Sequence, residues 1–235
     1  VLGIRLDLLS SAGAAHELEI LDAIEKDQLN LCKDIAMRYG GHIGGVVANH
    51  MVVYFGYPET DDTDTRRAAR TALELRKQVS KRSENLVLMH GLSTDLRVTL
   101  HTGKTLVFSN QSPEGNVPNT AFKLLYQTPA GTILVTDYTR KLLEPYVDFS
   151  SPRGVHLNEK AKAINAYELV SERDASTVPL LRSQSLEREM MGRAEEMRSL
   201  RDWWLKTAEA GQAVLVEGQA GIGKSKLAYE VKKDL

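Results

Sequence analysis

The sequence predicts an α+β protein: a ferredoxin-like βαββαβ sandwich followed by a linker and the start of a second, α/β unit. Three observations support this prediction. Strand-like and helix-like periodicities alternate over residues 1–170, the polar stretch 171–190 holds Pro179 and several serines, and a glycine-rich loop near the end separates an apolar run from a helical pattern. We therefore expect domains at 1–170 and 191–235, joined by a linker at 171–190.

Each element of the first domain is predicted from a local pattern. An apolar run opens the chain, and Leu18 and Leu21 begin the apolar face of a long helix that stops near Gly40. Asn49 marks a tight hairpin turn, since Asn tolerates a left-handed backbone, and 96–101 alternates as a strand does. The expected elements are strand 1–9, helix 16–39, strands 42–47 and 51–55, helix 63–81, strands 96–101 and 105–107, helix 117–127, strand 132–135, helix 136–144, and closing strands 147–150 and 163–170.

Composition narrows the class of function. The net charge of −1 gives no electrostatic case for direct contact with nucleic acid or a membrane surface. The six histidines lack the close spacing of metal ligands, and the single cysteine, Cys32, leaves no disulfide framework and suits a core position on a helix. The sequence shows no signal peptide and no apolar run of membrane-spanning length. We expect a cytoplasmic protein, because free thiols persist there.

The run GQAGIGKS at 218–225 has the spacing G-x-x-x-x-G-K-S of a phosphate-binding loop. Gly218 and Gly223 let the backbone wrap closely around a phosphate, so that successive N–H groups point inward, and Gly221 lies in the same loop. Lys224 is expected to reach the outer phosphates. The Ser225 hydroxyl is expected to ligate Mg²⁺.

The context of this loop fits the motif. An apolar run at 213–217 predicts a strand before it, and the spacing at 224–234 predicts a helix after it, which places the phosphates at a helix N-terminus. We therefore expect ATP and Mg²⁺ as the ligands of Gly218, Gly221, Gly223, Lys224 and Ser225.

A helix predicted at 194–209 precedes this unit. Its Trp203 and Trp204 are interpreted as packing against a neighbouring domain rather than stacking on a ligand. The wording MGRAEE at 191–196, followed by GQAGIGKSKL, resembles the opening of AAA-like or STAND-type signalling ATPases. Such an ATPase also needs a parallel sheet, an acidic Mg²⁺-binding strand and a water-positioning residue. We therefore expect ATPase activity only in a longer parent protein.

Several segments of 1–170 share their wording with one family. They are LDL at 6–8, RYGG at 38–41, VVYFGYP at 52–58, the Ala/Arg-rich helix at 66–75, LRVTLHTG at 96–103 (family "RIGIHTG") and GTILVT at 131–136 (family "GEILVS"). In this order and spacing they resemble the class III adenylyl/guanylyl cyclase homology domain. The resemblance implies the cyclase-type sandwich for this domain.

The resemblance also implies a two-metal nucleotide site. Such cyclases hold two Mg²⁺ or Mn²⁺ ions on two Asp residues, which activate the ribose 3′-hydroxyl. Asp7 matches the first Asp, with a polar strand end as its alternative role. The second normally lies in a Gly-Asp-Gly turn, and here Asn49 offers an amide oxygen without charge. The purine-recognising Lys of the family falls on Gly45.

The later catalytic helix of the family, "GDAVNLAARL", resembles GNVPNTAFKL at 115–124. Asn119 matches the Asn that orients the ribose. Lys123 replaces the transition-state Arg of the family. The replacement keeps the positive charge but loses the guanidinium group that can form two parallel hydrogen bonds. The hairpin with the second base-reading residue, usual between Val107 and Gly115, is short or absent.

The leading hypothesis is a nucleotide-dependent signalling protein. Its inactive cyclase-like domain would regulate or dimerise, and its P-loop domain would bind ATP. The expected partner is a second cyclase-like domain, in a homodimer or upstream in a longer chain. Two alternatives remain open: half of an adenylyl cyclase that converts ATP to cyclic AMP only beside a partner domain, and an ATP-switched transcription regulator.

Overall fold

The computed structural model describes residues 1–10, 17–105, 113, 115–157, 163–173, 192–206, 214–217, 224, 227–228 and 230–231. The chain forms two compact units, Val1–Asp174 and Ala175–Leu235. The strands and helices are β1 (Leu2–Ser10), α1 (Leu18–Arg38), β2 (His42–Val47), β3 (His50–Tyr54), α2 (Asp64–His90), β4 (Leu92–Leu100), α3 (Asn116–Leu125), β5 (Ile133–Thr136), α4 (Asp137–Leu143), β6 (Val147–Phe149), β7 (Arg153–Val155), β8 (Ile164–Glu172) and α5 (Ala194–Lys206).

The predicted α+β sandwich is confirmed in the first unit. The first six elements run β1-α1-β2-β3-α2-β4, and their strands lie side by side in the order β2-β3-β1-β4, with every neighbour antiparallel. Strand β5 continues the sheet parallel to β4, and β8 follows antiparallel to β5. Strands β6 and β7 both pair with β8.

One face of this sheet carries the main core. Successive side chains of a strand point to opposite faces, so Leu2, Ile4 and Leu6 of β1 all point the same way, and each is fully buried. They join one cluster with residues of both long helices, including Cys32 of α1 and Leu75 of α2. The core role predicted for Cys32 is confirmed, and burial raises the pKa of its thiol to about 12.

Helix α3 crosses the opposite face of the sheet. The Thr99 hydroxyl of β4 donates a hydrogen bond of 3.0 Å to the carbonyl oxygen of Ala121 in the middle of α3. A Cβ at Gly3, on the neighbouring strand, would lie 2.7 Å from the Thr99 hydroxyl oxygen. The glycine therefore leaves the space in which this hydroxyl holds the helix against the sheet.

Three elements differ from the sequence-based expectation. Helix α2 continues to His90 rather than ending near 81, because no Gly or Pro interrupts it before Gly91, whose φ of 65° closes the helix in a left-handed cap. Strand β7 was not predicted, because its three residues are too few to show the alternating pattern of a strand. In the β2–β3 turn the positive φ belongs to Ala48, at 50°, and not to Asn49.

Two expected strands are not formed where the structure describes them. Thr105 has no strand conformation, and 106–107 lie outside the described residues. Residues 214–217 also have no strand assignment, and no described segment pairs with them. Strands form through ladder hydrogen bonds to a neighbour, so an apolar run alone does not suffice. Among the described helices, none is long and apolar enough to cross a membrane.

Candidate functional site

The structure brings Asp7 and Asn49 into contact. Asp7 lies near the end of β1, and Asn49 lies in the two-residue turn between β2 and β3. The backbone N–H of Leu6 donates to the carbonyl oxygen of Asn49 at 3.0 Å, which fixes the turn against β1. The Asn49 side-chain Nδ2 then donates to Asp7 Oδ1 at 2.7 Å. The turn therefore presents an amide N–H to the carboxylate.

Two arginines complete the surroundings of Asp7. Arg5 Nε lies 3.1 Å from Asp7 Oδ1, and Arg97 Nη1 of β4 contacts Asp7 Oδ2 directly. Arg97 Nη2 also donates to Asp95 Oδ2 at 2.7 Å. In the β1–β4 register, Arg5 lies opposite Arg97 and Asp7 lies opposite Asp95. All four charged side chains thus share the face that carries α3, and two positive charges balance two negative charges.

Sequence reasoning missed the two arginines and Asp95. The signal that could have found them is the spacing of opposite charges two residues apart, Arg5 with Asp7 and Asp95 with Arg97. Each pair lies on one face of its own strand, but only the β1–β4 register places both pairs on the same face. The resulting cluster lines an open depression of about 680 Å³, whose lining also includes Leu9, Leu21, Ala48 and a further carboxylate, Glu25.

The other candidate residues lie on α3. Asn119 and Lys123 are both exposed and are four residues apart, so they share one face of the helix. Neither forms a hydrogen bond or ion pair with a residue that the structure describes.

An aromatic cluster joins the turn to α3. The ring of His50, which follows Asn49, lies with its centroid 6.3 Å from Phe122 and 5.7 Å from Tyr126. The Arg5 guanidinium lies 5.9 Å from the Tyr126 ring centroid. Burial and then the charge of Arg5 lower the pKa of His50. Sequence reasoning did not identify His50, because one histidine at a turn carries no spacing signal.

Gly45, where the resemblance places a purine-recognising Lys, lies on edge strand β2 next to a bulge. A Cβ built there meets no atom within 4 Å. A larger side chain would fit at this position without displacing a neighbour, so the glycine is not required by packing.

The phosphate-binding loop predicted at 218–225 lies almost wholly outside the described residues. Gly218, Gly221, Gly223 and Ser225 are not described, whereas Lys224 is helical and half-buried. The helical assignment of Leu227, Ala228, Glu230 and Val231 agrees with the helix expected there. Of the short stretch between Val107 and Gly115, the structure describes Pro113 alone. Within the described residues, no group of three or more His, Cys, Asp or Glu side chains is arranged to hold a metal ion.

Comparison with known proteins finds likeness in structure rather than in sequence. The chain is similar to the adenylyl cyclase CyaB from P. aeruginosa, with a TM-score of 0.62 and 21% identity over 74% of this chain and 94% of that one. It is also similar to the guanylyl cyclase Cya2, with a TM-score of 0.60 and 16% identity over 75% and 94% of the two chains.

A third solved structure is the catalytic core of a rhodopsin-guanylyl cyclase with converted specificity in complex with ATPalphaS. Its TM-score is 0.61, with 16% identity over 73% of this chain and 95% of that one. No family model and no curated protein sequence matches the chain. At these identities the likeness shows the fold alone: the chain has the fold of class III adenylyl/guanylyl cyclase domains.

Proposed function

We propose that this chain belongs to a nucleotide-dependent signalling protein. Residues 1–170 form a cyclase-fold domain that regulates or dimerises and makes no cyclic nucleotide by itself. Residues 191–235, beyond the linker at 171–190, begin an ATP-binding P-loop domain.

The contact between Asn49 and Asp7 carries the first part of this proposal. A pair of divalent ions needs negative oxygen ligands from both positions. Here one position supplies a neutral amide, and its N–H group, 2.7 Å from Asp7 Oδ1, occupies a carboxylate lone pair. The residues around Asp7 therefore do not fit two Mg²⁺ or Mn²⁺ ions, and we derive no catalytic step through a metal at this site.

The other candidate positions support the same conclusion. Gly45 leaves the base-reading position without a side chain, although space for one exists. Lys123 is a point charge rather than the planar fork that grips a phosphate through two hydrogen bonds. Of these three positions, only Asn119 keeps the residue type that the cyclase resemblance implies.

A second cyclase-like domain is the proposed partner. The β1–β3 and β2–β3 registers align Arg5 with His50 and His50 with Val47, so this sheet face continues to the edge strand. Val47 is 76% exposed and Tyr126 is 67% exposed on that side. Exposed apolar side chains beside the exposed polar groups of α3 are suited to burial against another domain.

The ATP-binding part of the proposal is supported by the spacing of Gly218, Gly223, Lys224 and Ser225. In the parent protein, Lys224→Ala should abolish ATP binding measured by calorimetry, because the outer phosphates lose their cation. Lys226→Ala, two residues on, is the matched control and should bind normally. Equal affinities of the two variants would remove this part of the proposal.

Cyclase activity is tested by incubating the chain with ATP or GTP and Mn²⁺. We expect no cyclic product, either from the chain alone or as a rate gain when an intact cyclase half is added. Product formed by the chain alone and lost in Asp7→Ala would overturn the proposal. A rate gain seen only in the mixture would instead establish a cyclase half that depends on a partner.

A further inference from the structure

We infer that the guanidinium of Arg97 serves as the built-in cation of this site and holds Asp7 in an internal ion pair, so that the sheet face binds no divalent metal. The inference deepens the proposed function and rests on it, because it explains how a cyclase fold uses this position without metal.

Arg97 bridges two acidic side chains. Its Nη1 contacts Asp7 and its Nη2 contacts Asp95, so one planar group bridges carboxylates on two neighbouring strands. A bridge between two carboxylates is also what a divalent ion makes in a metal site. The rigid fork of arginine suits it to this arrangement, whereas a lysine ammonium would act as a single point charge.

Both carboxylate oxygens of Asp7 already have hydrogen-bond donors. Oδ1 accepts hydrogen bonds from Asn49 Nδ2 at 2.7 Å and from Arg5 Nε at 3.1 Å. Oδ2 contacts Arg97 and lies 3.0 Å from Arg5 Nε. A metal ion would have to displace these donors from both oxygens before it could bind.

The charges of the two arginines and the two aspartates balance one another. Arg5 and Arg97 neutralise Asp7 and Asp95, and the Asp7 and Asp95 side chains are only 17% and 13% exposed. In a partly desolvated cluster, adding two positive charges beside two guanidinium groups is repulsive. Restoring a carboxylate at position 49 adds one negative charge and leaves both arginines in place. Asn49 is therefore not the sole obstacle to metal binding, and Arg97 is the second one.

The experiment measures Mn²⁺ binding by loss of the free-ion EPR signal, without nucleotide. It uses the whole chain carrying Ser225→Ala, which removes the P-loop hydroxyl as a ligand. In this background we compare the chain with no further change, the Asn49→Asp variant, and the double variant Asn49→Asp with Arg97→Gln. We expect the chain that keeps Asn49 to bind no Mn²⁺. The double variant should bind Mn²⁺ at least about tenfold more tightly than the Asn49→Asp variant.

A second substitution guards against loss of folding. Arg97→Lys keeps the positive charge but cannot bridge both carboxylates, so Asn49→Asp with Arg97→Lys should also bind Mn²⁺ more tightly than Asn49→Asp. Circular dichroism confirms that each variant is folded.

Two outcomes overturn the inference: Mn²⁺ bound as tightly by Asn49→Asp as by both double variants, or Mn²⁺ bound by the chain with Asn49 and Arg97 intact and lost in Asp7→Asn. The first outcome does not contradict the proposed function, because it describes Mn²⁺ binding by variants in which Asn49 has been replaced. Cyclic product from the unaltered chain is what removes the proposed function.

Discussion

The candidate site has a strand half, around Asp7, and a helix half, formed by Asn119 and Lys123 of α3. The two halves differ in how many of their polar groups are bound by described residues of the same domain. On the strand half, Asp7 is bound by Asn49, Arg5 and Arg97, and little of its side chain is exposed. On the helix half, Asn119 and Lys123 are exposed and bind no described residue. Two halves that look equally polar in sequence therefore have different roles.

The difference follows from the secondary structure that carries each half. Diagonal cross-strand neighbours on one face of a sheet lie about 7–8 Å apart, within reach of a long side chain, so Arg97 of β4 contacts Asp7 of β1 within the domain. Polar groups on the outer face of a helix have no such neighbour and remain open to solvent or to another molecule. We therefore propose that the strand half stabilises the domain and that the helix half contacts a partner domain.

The largest expected effect is that of removing Arg97. Arg97→Met should lower the free energy of unfolding by about 2 kcal/mol, because Asp7 and Asp95 would face each other, half-desolvated, without their shared cation. Urea denaturation measures this change. The control is Lys123→Met, which removes a charge from the helix half. If both substitutions had the same small effect, the contrast between the halves would be wrong.

Acid stability tests a partly buried histidine that lies outside this ion network. Burial lowers the pKa of His101, whose Nδ1 lies 3.0 Å from the Thr136 hydroxyl, from 6.5 to about 4. As pH falls below 6.5 the unfolded chain takes up this proton first, so stability should decline between 6.5 and 4. His101→Gln should flatten this part of the pH profile of urea midpoints, whereas exposed His42→Gln should not. An unchanged profile in His101→Gln would refute this assignment.

A smaller effect tests how α3 is fixed. Thr99→Val removes the buried hydroxyl that donates to Ala121 and should cost about 1 kcal/mol of stability. Thr94→Val is a matched control on the same strand, because the buried Thr94 Oγ1 has no hydrogen-bond partner among the described residues. The contrary result, a larger loss in Thr94→Val, would show that the Thr99 hydroxyl does not hold the helix.

The smallest expected effect on stability comes from the helix half. Asn119→Ala and Lys123→Ala should each change the free energy of unfolding by less than about 0.5 kcal/mol, as exposed substitutions usually do. Both should weaken association with a second cyclase-like domain in sedimentation velocity. Unchanged association together with unchanged stability would leave the helix half without the role proposed for it.

Periodicity and turn chemistry predicted most of the first domain. The strand-like apolar run that opens the chain predicted β1, and the apolar face that begins at Leu18 and Leu21 predicted α1. Helix α2 was predicted nine residues short, because its last turns expose Val87, Leu88 and Met89 rather than continuing a buried stripe. Local patterns thus locate elements well and their ends poorly.

The sequence by itself determined the order of most strands and helices, the G-x-x-x-x-G-K-S spacing at 218–225, and an Asn at position 49 where the cyclase resemblance implies a carboxylate. These properties are local, because each depends on residues a few positions apart. The tertiary structure alone decided that Asn49 and Arg97 meet at Asp7, from 42 and 90 residues away. Pairing of distant strands creates that contact, and no local pattern encodes which charges will face each other across a sheet.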